Sequence, residues 1–303
     1  FKHPARTKDG APRADVAFGG LRTLWFNTGT LCNVTCGNCY IESSPRNDRL
    51  SYLTRRDIRQ YLDELADSGR QAEEIGFTGG EPFMNPDIIS HLRDCLVRGY
   101  RVLVLTNAMR PLLNHKACLA ELKAEFGAKL VLRISIDHYS AALHDMERGK
   151  GSWTRMMVGF KWLVQNGFAL NVAGRTCWGE SEDNARRGYA EFFTTQNIPI
   201  NADDPATLVL FPEMDSAADV PEITTHCWDI LGVAPEHMMC ATSRMIVKHR
   251  DADAPTVVPC TLLPYDKAFE LGQGLAQASK TVQLNHPHCA KFCVLGGASC
   301  SPE

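Results

Sequence analysis

The 303-residue chain has no apolar run approaching the roughly 18 residues that a membrane-spanning helix needs, so nothing in it spans a bilayer as a helix. It also lacks a surplus of charge of one sign. Lys+Arg 32 against Asp+Glu 35 leaves −3, and no basic excess marks a nucleic acid or an anionic membrane as partner. Residues 1–13 are basic and polar without an apolar stretch, which excludes a signal peptide there. Internal repeats, low-complexity tracts and coiled-coil heptads are missing, which excludes solenoids and fibrous folds. About 20 residues precede the first strand-like segment, too few for an independent domain. Disorder is excluded too, since 44% hydrophobic against 22% charged residues is ordinary globular composition.

What the chain has in abundance is cysteine, 12 in all. A chain this long buries a core without staples, and many thiols without an export signal point to metal ligation and the cytoplasm rather than to disulfides. Three cysteines fall close together, in Cys32-Asn33-Val34-Thr35-Cys36-Gly37-Asn38-Cys39, and five (Cys240, Cys260, Cys289, Cys293 and Cys300) lie in the last quarter. The four between them, Cys95, Cys118, Cys177 and Cys227, are isolated and read as packing, as free cysteine is among the most buried residue types.

The periodicities alternate. Strands are expected over 21–26, 74–77, 100–105, 130–136, 168–173 and 207–211. Between them stand helices: one capped by Thr54 and carrying Ile58, Leu62 and Leu65, then 86–98, 115–126, 153–165 and 182–196. Strand–helix alternation means a parallel sheet covered by helices. Six units are too few for a closed eight-fold barrel, which leaves an open, partial (β/α)6 TIM-like barrel whose ligands lie at the carboxyl ends of the strands. After Pro212 the alternation stops: an irregular stretch over 213–239, a hairpin of 245–249 with 256–258, a helix over 266–278 and a cysteine-rich tail are expected. The chain therefore divides into a lead-in (1–20), a barrel (21–215) and a small C-terminal cysteine-rich unit (216–303).

Three close thiols without a nearby fourth ligand leave one metal position open, which marks chemistry rather than scaffolding; a zinc knuckle with a distant fourth ligand is the alternative. The second strand ends in Thr78-Gly79-Gly80-Glu81-Pro82, where paired glycines let backbone approach a ligand closely. The triplet after the first strand and this turn after the second resemble the radical S-adenosylmethionine (SAM) superfamily over residues 21–212. That resemblance implies a [4Fe–4S] cluster on Cys32, Cys36 and Cys39 and SAM chelating its remaining iron. It further implies Gly79, Gly80 and Glu81 about the methionine amino group, Ser135 and Asp137 at the ribose, and Asn107 facing the cofactor. Arg175 falls to the SAM carboxylate, with Leu210 and Phe211 flanking the adenine. Asn38 departs from the aromatic residue common before the third cysteine. The implied reaction is reductive cleavage of SAM to methionine and a 5′-deoxyadenosyl radical, which removes hydrogen from a substrate.

Cys240 and Cys260 bracket the expected hairpin, and the tail follows as Cys289-Ala290-Lys291-Phe292-Cys293 and Cys300. This resembles the SPASM/Twitch extension of the superfamily and implies one auxiliary [4Fe–4S] cluster. Cys240 and Cys260 are its firmest ligands, with two more from Cys289, Cys293 and Cys300. His286 and His288 are alternative ligands, and a structural zinc site is the alternative occupant. Full thiolate ligation favours electron transfer and hence an oxidative or bond-forming outcome. The branch implies an electron donor such as flavodoxin or ferredoxin. The short lead-in tilts the substrate towards a small molecule; a peptide-modifying maturase and a non-catalytic iron–sulfur or zinc redox sensor are the alternatives.

Overall fold

The computed structural model describes residues 1–69, 72–213 and 219–297. Its strands are β1 (Asp15–Val16), β2 (Thr23–Asn27), β3 (Glu74–Thr78), β4 (Arg101–Thr106), β5 (Leu130–Ser135), β6 (Ala169–Arg175), β7 (Leu208–Phe211), β8 (Ser243–Val247), β9 (Thr256–Val258) and β10 (Val282–Gln283). The helices are α1 (Arg55–Asp67), α2 (Ile88–Val97), α3 (Arg110–Leu113), α4 (Lys116–Phe126), α5 (Ala141–Arg148), α6 (Ser152–Gln165), α7 (Glu182–Thr195), α8 (Cys227–Leu231) and α9 (Met239–Thr242).

Strands β2 to β7 pair in parallel, each with the next, as the six expected units require. β2 and β3 are buried at every position, the mark of parallel strands covered on both faces. Gly76 admits the ring of the fully buried Trp25: a Cβ there would sit 2.3 Å from its Cε3. Thr54 caps α1 as expected, its hydroxyl accepting from Asp57 N while Asp57 reaches back to Thr54 N. At the start of α1, Arg55 and Arg59 both clamp Asp94 of α2, each Nε 2.7 Å from Oδ2.

Three features differ from the sequence expectation. The C-terminal hairpin continues the barrel sheet, because β8 lies parallel against β2, from Thr23↔Ser243 to Phe26↔Ile246, and β9 folds back antiparallel on β8. The expected helix over 266–278 is replaced by a 3-10 turn at Lys267–Phe269 and an extended crossing. Leu271 and Gly272 there bond to both backbone groups of Val257, and Gly272 takes φ +120°, so β9 gains a partner that a helix would deny it. Finally, short helices form where no element is expected: α3, α5 and α9, and α8 inside the stretch 213–239 expected to be irregular.

The lead-in packs on the C-terminal region. β1 pairs with β10, and the buried Arg13 donates to His3 O, Arg6 O and Glu222. Interior residues of the barrel (Trp25, Leu103, Val131) share one apolar cluster with Met239, Val258 and Phe292, so the C-terminal region packs directly on the barrel interior.

Candidate active site

At the carboxyl ends of the strands a cavity of about 180 Å³ opens. Cys32, Cys36, Cys39, Gly79, Gly80, Asn107, Ser135, Asp137 and Arg175 all line it. The glycines have a local reason to be there. Gly79 has φ +134°, and a Cβ on it would come 2.5 Å from Gly29 O; one on Gly80 would come 2.1 Å from Leu31 O. The backbone of β2's outgoing loop lies directly on the pair, fixed by Gly80 N to Gly29 O (2.8 Å) and Glu81 N to Leu31 O (3.1 Å). The turn after β3 thus carries the segment that delivers Cys32.

Glu81 stands behind this wall rather than in it. It is buried, accepting from Thr106 Oγ1 (2.8 Å), Asn107 N (2.8 Å) and Phe83 N (3.2 Å), and burial pushes its carboxyl up to about 7 against those bonds. It therefore holds Asn107, whose amide donates to Asn33 Oδ1 (2.9 Å) inside the cysteine loop. Leu210 packs into the core against Gly174, whereas Phe211 lines the cavity.

The opposite side of the loop is held by α5. Gly37 N donates to Glu147 O (2.9 Å), and the Glu147 carboxylate accepts from Asn38 N (2.7 Å) and Asn38 Nδ2 (3.1 Å). Next to it, Arg148 makes a two-pronged pair with Asp137, its Nη2 3.0 Å from Oδ1. Asp137 is held below the ordinary carboxylate range: burial pushes it up, but Arg148 outweighs this. Burial pushes the Cys32 thiol up to about 12 and the Cys36 thiol up to about 11, with the Arg148 charge pulling both down. Any metal bound by these sulfurs would have to displace protons from thiols. The sequence reading gives neither Glu147 nor Arg148 a site role; the signal available is an acidic and a basic residue ending a two-turn polar helix just before Gly149.

Arg175 donates through Nη1 to Asn38 O (3.2 Å) and to Glu147 (3.3 Å), while its buried Nε and Nη2 have no partner among the described residues. Unpartnered guanidinium donors on a cavity wall fit a carboxylate. Among the described residues, no three Cys, His, Asp or Glu side chains close on a point as one metal ion requires. A [4Fe–4S] cluster takes each thiolate on a different iron and does not require that convergence. The donor set fits a cluster with a carboxylate-bearing ligand beside it.

A second, smaller space of about 20 Å³ lies between β8–β9 and the tail. Cys240, Cys260, Cys289 and Cys293 line it together with His288, amid Met238, Met239 and Leu284. Cys289 and Cys293 lie on a single π-helical turn, Cys289–Val294. Cys300 lies outside the described residues. His286 is not in the lining; its Nδ1 accepts from His288 N (3.0 Å). Cys227 is elsewhere, its sulfur accepting from Thr224 N (3.3 Å). Cys95 is fully buried in α2, while Cys118 and Cys177 are half-buried. Glu222 faces Arg13. Burial pushes the Cys240 thiol up to about 11. Beside it the buried Arg244 donates to Cys240 O (2.6 Å) and Ala278 O (2.7 Å). Leu262 lines both spaces, and Phe292, on the turn that bears Cys289 and Cys293, meets Phe211 (ring centroids 5.4 Å) at the barrel cavity.

The family profile "Radical SAM superfamily" matches residues 26–185. The antilisterial bacteriocin subtilosin biosynthesis protein AlbA of Bacillus subtilis is 34% identical over 143 residues, covering 47% of this chain and 30% of that protein. The AdoMet-dependent heme synthase of Methanosarcina barkeri is 28% identical over 144 residues, covering 46% and 38%. The chain thus spans about a third of the length of these relatives. Streptococcus suis SuiB, solved bound to S-adenosylmethionine, superposes with a TM-score of 0.61 at 13% identity, over 84% of this chain and 63% of that one.

Proposed function

This chain belongs to the radical SAM superfamily, whose members use a [4Fe–4S] cluster and SAM, and from that premise we propose where it holds them and what it acts on. Cys32, Cys36 and Cys39 hold the cluster. Arg175 meets the SAM carboxylate through Nε and Nη2, and the backbone at Gly79 and Gly80 meets the amino group. Asp137 keeps a lone pair on each oxygen beyond its Arg148 bonds, and with Ser135 it accepts the ribose hydroxyls. Phe211 offers its ring to the adenine. Bound together, cluster and SAM supply one-electron cleavage of the C5′–S bond and, from it, hydrogen-atom abstraction. The chain's part is to orient that pair and keep water out, which the apolar wall of Leu262, Phe211 and Phe292 serves. The observation that carries this reading is a single cavity gathering the three thiols with the unpartnered Arg175 donors.

Cys240, Cys260, Cys289 and Cys293 hold an auxiliary [4Fe–4S] cluster. Four thiolates leave no iron open, so this cluster receives an electron from the substrate rather than binding it, and the outcome is oxidative or bond-forming. For the substrate, the likeness to a bacteriocin biosynthesis protein favours a peptide over a free small molecule. Flavodoxin or ferredoxin serves as electron donor. Anaerobic reconstitution with iron and sulfide, then dithionite and SAM, tests the reading. 5′-Deoxyadenosine is expected in wild type and absent from Cys36→Ala; its absence from wild type overturns the proposal and restores the redox-sensor alternative. Deuterium transfer into 5′-deoxyadenosine from labelled peptides, set against labelled small molecules, separates the two substrate classes.

A further inference from the structure

The loop between the second and third cysteines has no apolar side chain to anchor it by packing: Gly37 has none, and Asn38 stands where the family commonly has an aromatic residue. What fixes it comes from α5. Four polar contacts converge on Glu147. Its carbonyl takes Gly37 N, and its carboxylate takes Asn38 N, Asn38 Nδ2 and Arg175 Nη1. The Arg175 Nη1 also donates to Asn38 O, so loop, helix and arginine form a closed ring of hydrogen bonds. The Glu147 carboxylate is nearly buried, with 8% of its side chain exposed, where such bonds count for more than they would at the surface.

The ring holds one end of the Arg175 guanidinium and leaves Nε and Nη2 without a partner. A buried guanidinium held at one nitrogen presents its remaining donors in a fixed direction, as two-pronged binding of a carboxylate requires. We infer that Glu147 is a positioning residue that shapes the cluster loop through Asn38 and orients Arg175 for the carboxylate of SAM. Asn38 is its partner in this and takes over a role that an aromatic side chain would fill by packing. The inference rests on the proposed cluster and SAM sites, and it is tested separately from them.

The test uses the anaerobically reconstituted full chain with two readouts that need no turnover. One is the rate of iron loss to an external chelator, taken for the kinetic phase that Cys36→Ala abolishes. The other is the dissociation constant of SAM without reductant. Glu147→Gln removes the charge at constant shape; iron loss in that phase speeds about tenfold and SAM binds about tenfold more weakly, as loss of a charged hydrogen bond implies. Asn38→Asp alone sets two carboxylates against each other and is impaired by at least as much. Combining the two returns one charge to the same pair and restores both readouts to within about threefold of wild type, a coupling that a merely structural role would not produce. Asn38→Ala supplies a second variant should Glu147→Gln be poorly folded, and the iron-loss phase of the auxiliary cluster reports folding in each case. The inference is overturned if Glu147→Gln leaves both readouts at wild-type values, or if the double variant is as impaired as Glu147→Gln. If Cys36→Ala abolishes no phase at all, the cluster assignment itself fails.

Discussion

Cys32, Cys36 and Cys39 face a cavity of about 180 Å³ with a buried Arg148–Asp137 pair, a partly unpartnered Arg175 and backbone groups on its walls. Cys240, Cys260, Cys289 and Cys293 close on about 20 Å³ lined mainly by methionine and leucine, with His288 as its one polar neighbour among the described residues, and the charge acting on Cys240 is that of Arg244. Burial raises thiols in each set, Cys32 and Cys36 in the first and Cys240 and Cys289 in the second, so these sulfurs do not differ in kind. Their surroundings do. A site that shares its metal with a ligand needs room and oriented polar groups. A site that only stores and passes an electron is served by a dry sheath, in which reduction potential is set by charge, hydrogen bonding and solvent exclusion.

The strongest way to break this contrast is to remove one thiol from each side. Cys36→Ala is expected to abolish 5′-deoxyadenosine formation, to the background of uncatalysed cleavage, while about half the bound iron remains. Cys260→Ala is expected to lose the other half and keep SAM cleavage without substrate. Iron content and product chromatography read both, and equal loss of cleavage in the two variants would erase the distinction. Next in size is Gly80→Ala, whose Cβ meets the backbone of Leu31 at 2.1 Å. We expect about 2–4 kcal/mol of destabilisation by chemical denaturation together with a weakened first cluster. An effect confined to the second cluster would contradict the geometry.

The smallest effect serves as a control distant from both thiol sets. Asp94 is held well below the usual carboxylate range, chiefly by its hydrogen bond to Arg55 and then Arg59. Its folded pKa lies below the unfolded value of about 3.9, so its contribution is complete above that pH and fades as pH falls through and below it. Asp94→Asn should cost about 1 kcal/mol at pH 7, since both arginines are half-exposed, and the gap from wild type should narrow below about pH 4. Cluster loading should be unchanged, as read from iron content.

Most of the barrel is legible in the sequence because buried parallel strands are short apolar runs with helices between them, and β2 to β7 match such runs. The cysteine triplet and Gly79-Gly80 are legible as motifs at strand ends and Ser135 and Asp137 through the resemblance to the superfamily, and all of them line the barrel cavity. Two turns of polar helix are not: α5 has no long apolar stripe, so Glu147 and Arg148 escape a reading built on periodicity. The 266–278 segment misleads in the opposite sense. Its apolar spacing suits a helix, but Gly272 and Gly274 weaken one, and the open edge of β9 offers Leu271 and Gly272 backbone partners that no local pattern reveals. Phe292 and Leu262 reach the barrel cavity only through tertiary packing, which leaves no trace in spacing.

The pairing of β8 with β2 has a consequence for the order in which the protein is made. β2 is the first barrel strand to leave the ribosome, and its outer edge is completed by residues 243–246. Until those residues emerge, that edge is a bare row of backbone donors and acceptors, open to pairing with another nascent chain. A barrel cut after residue 215 would keep the edge exposed for good, so expression of the full span through β9 should give markedly less aggregate than the shortened barrel.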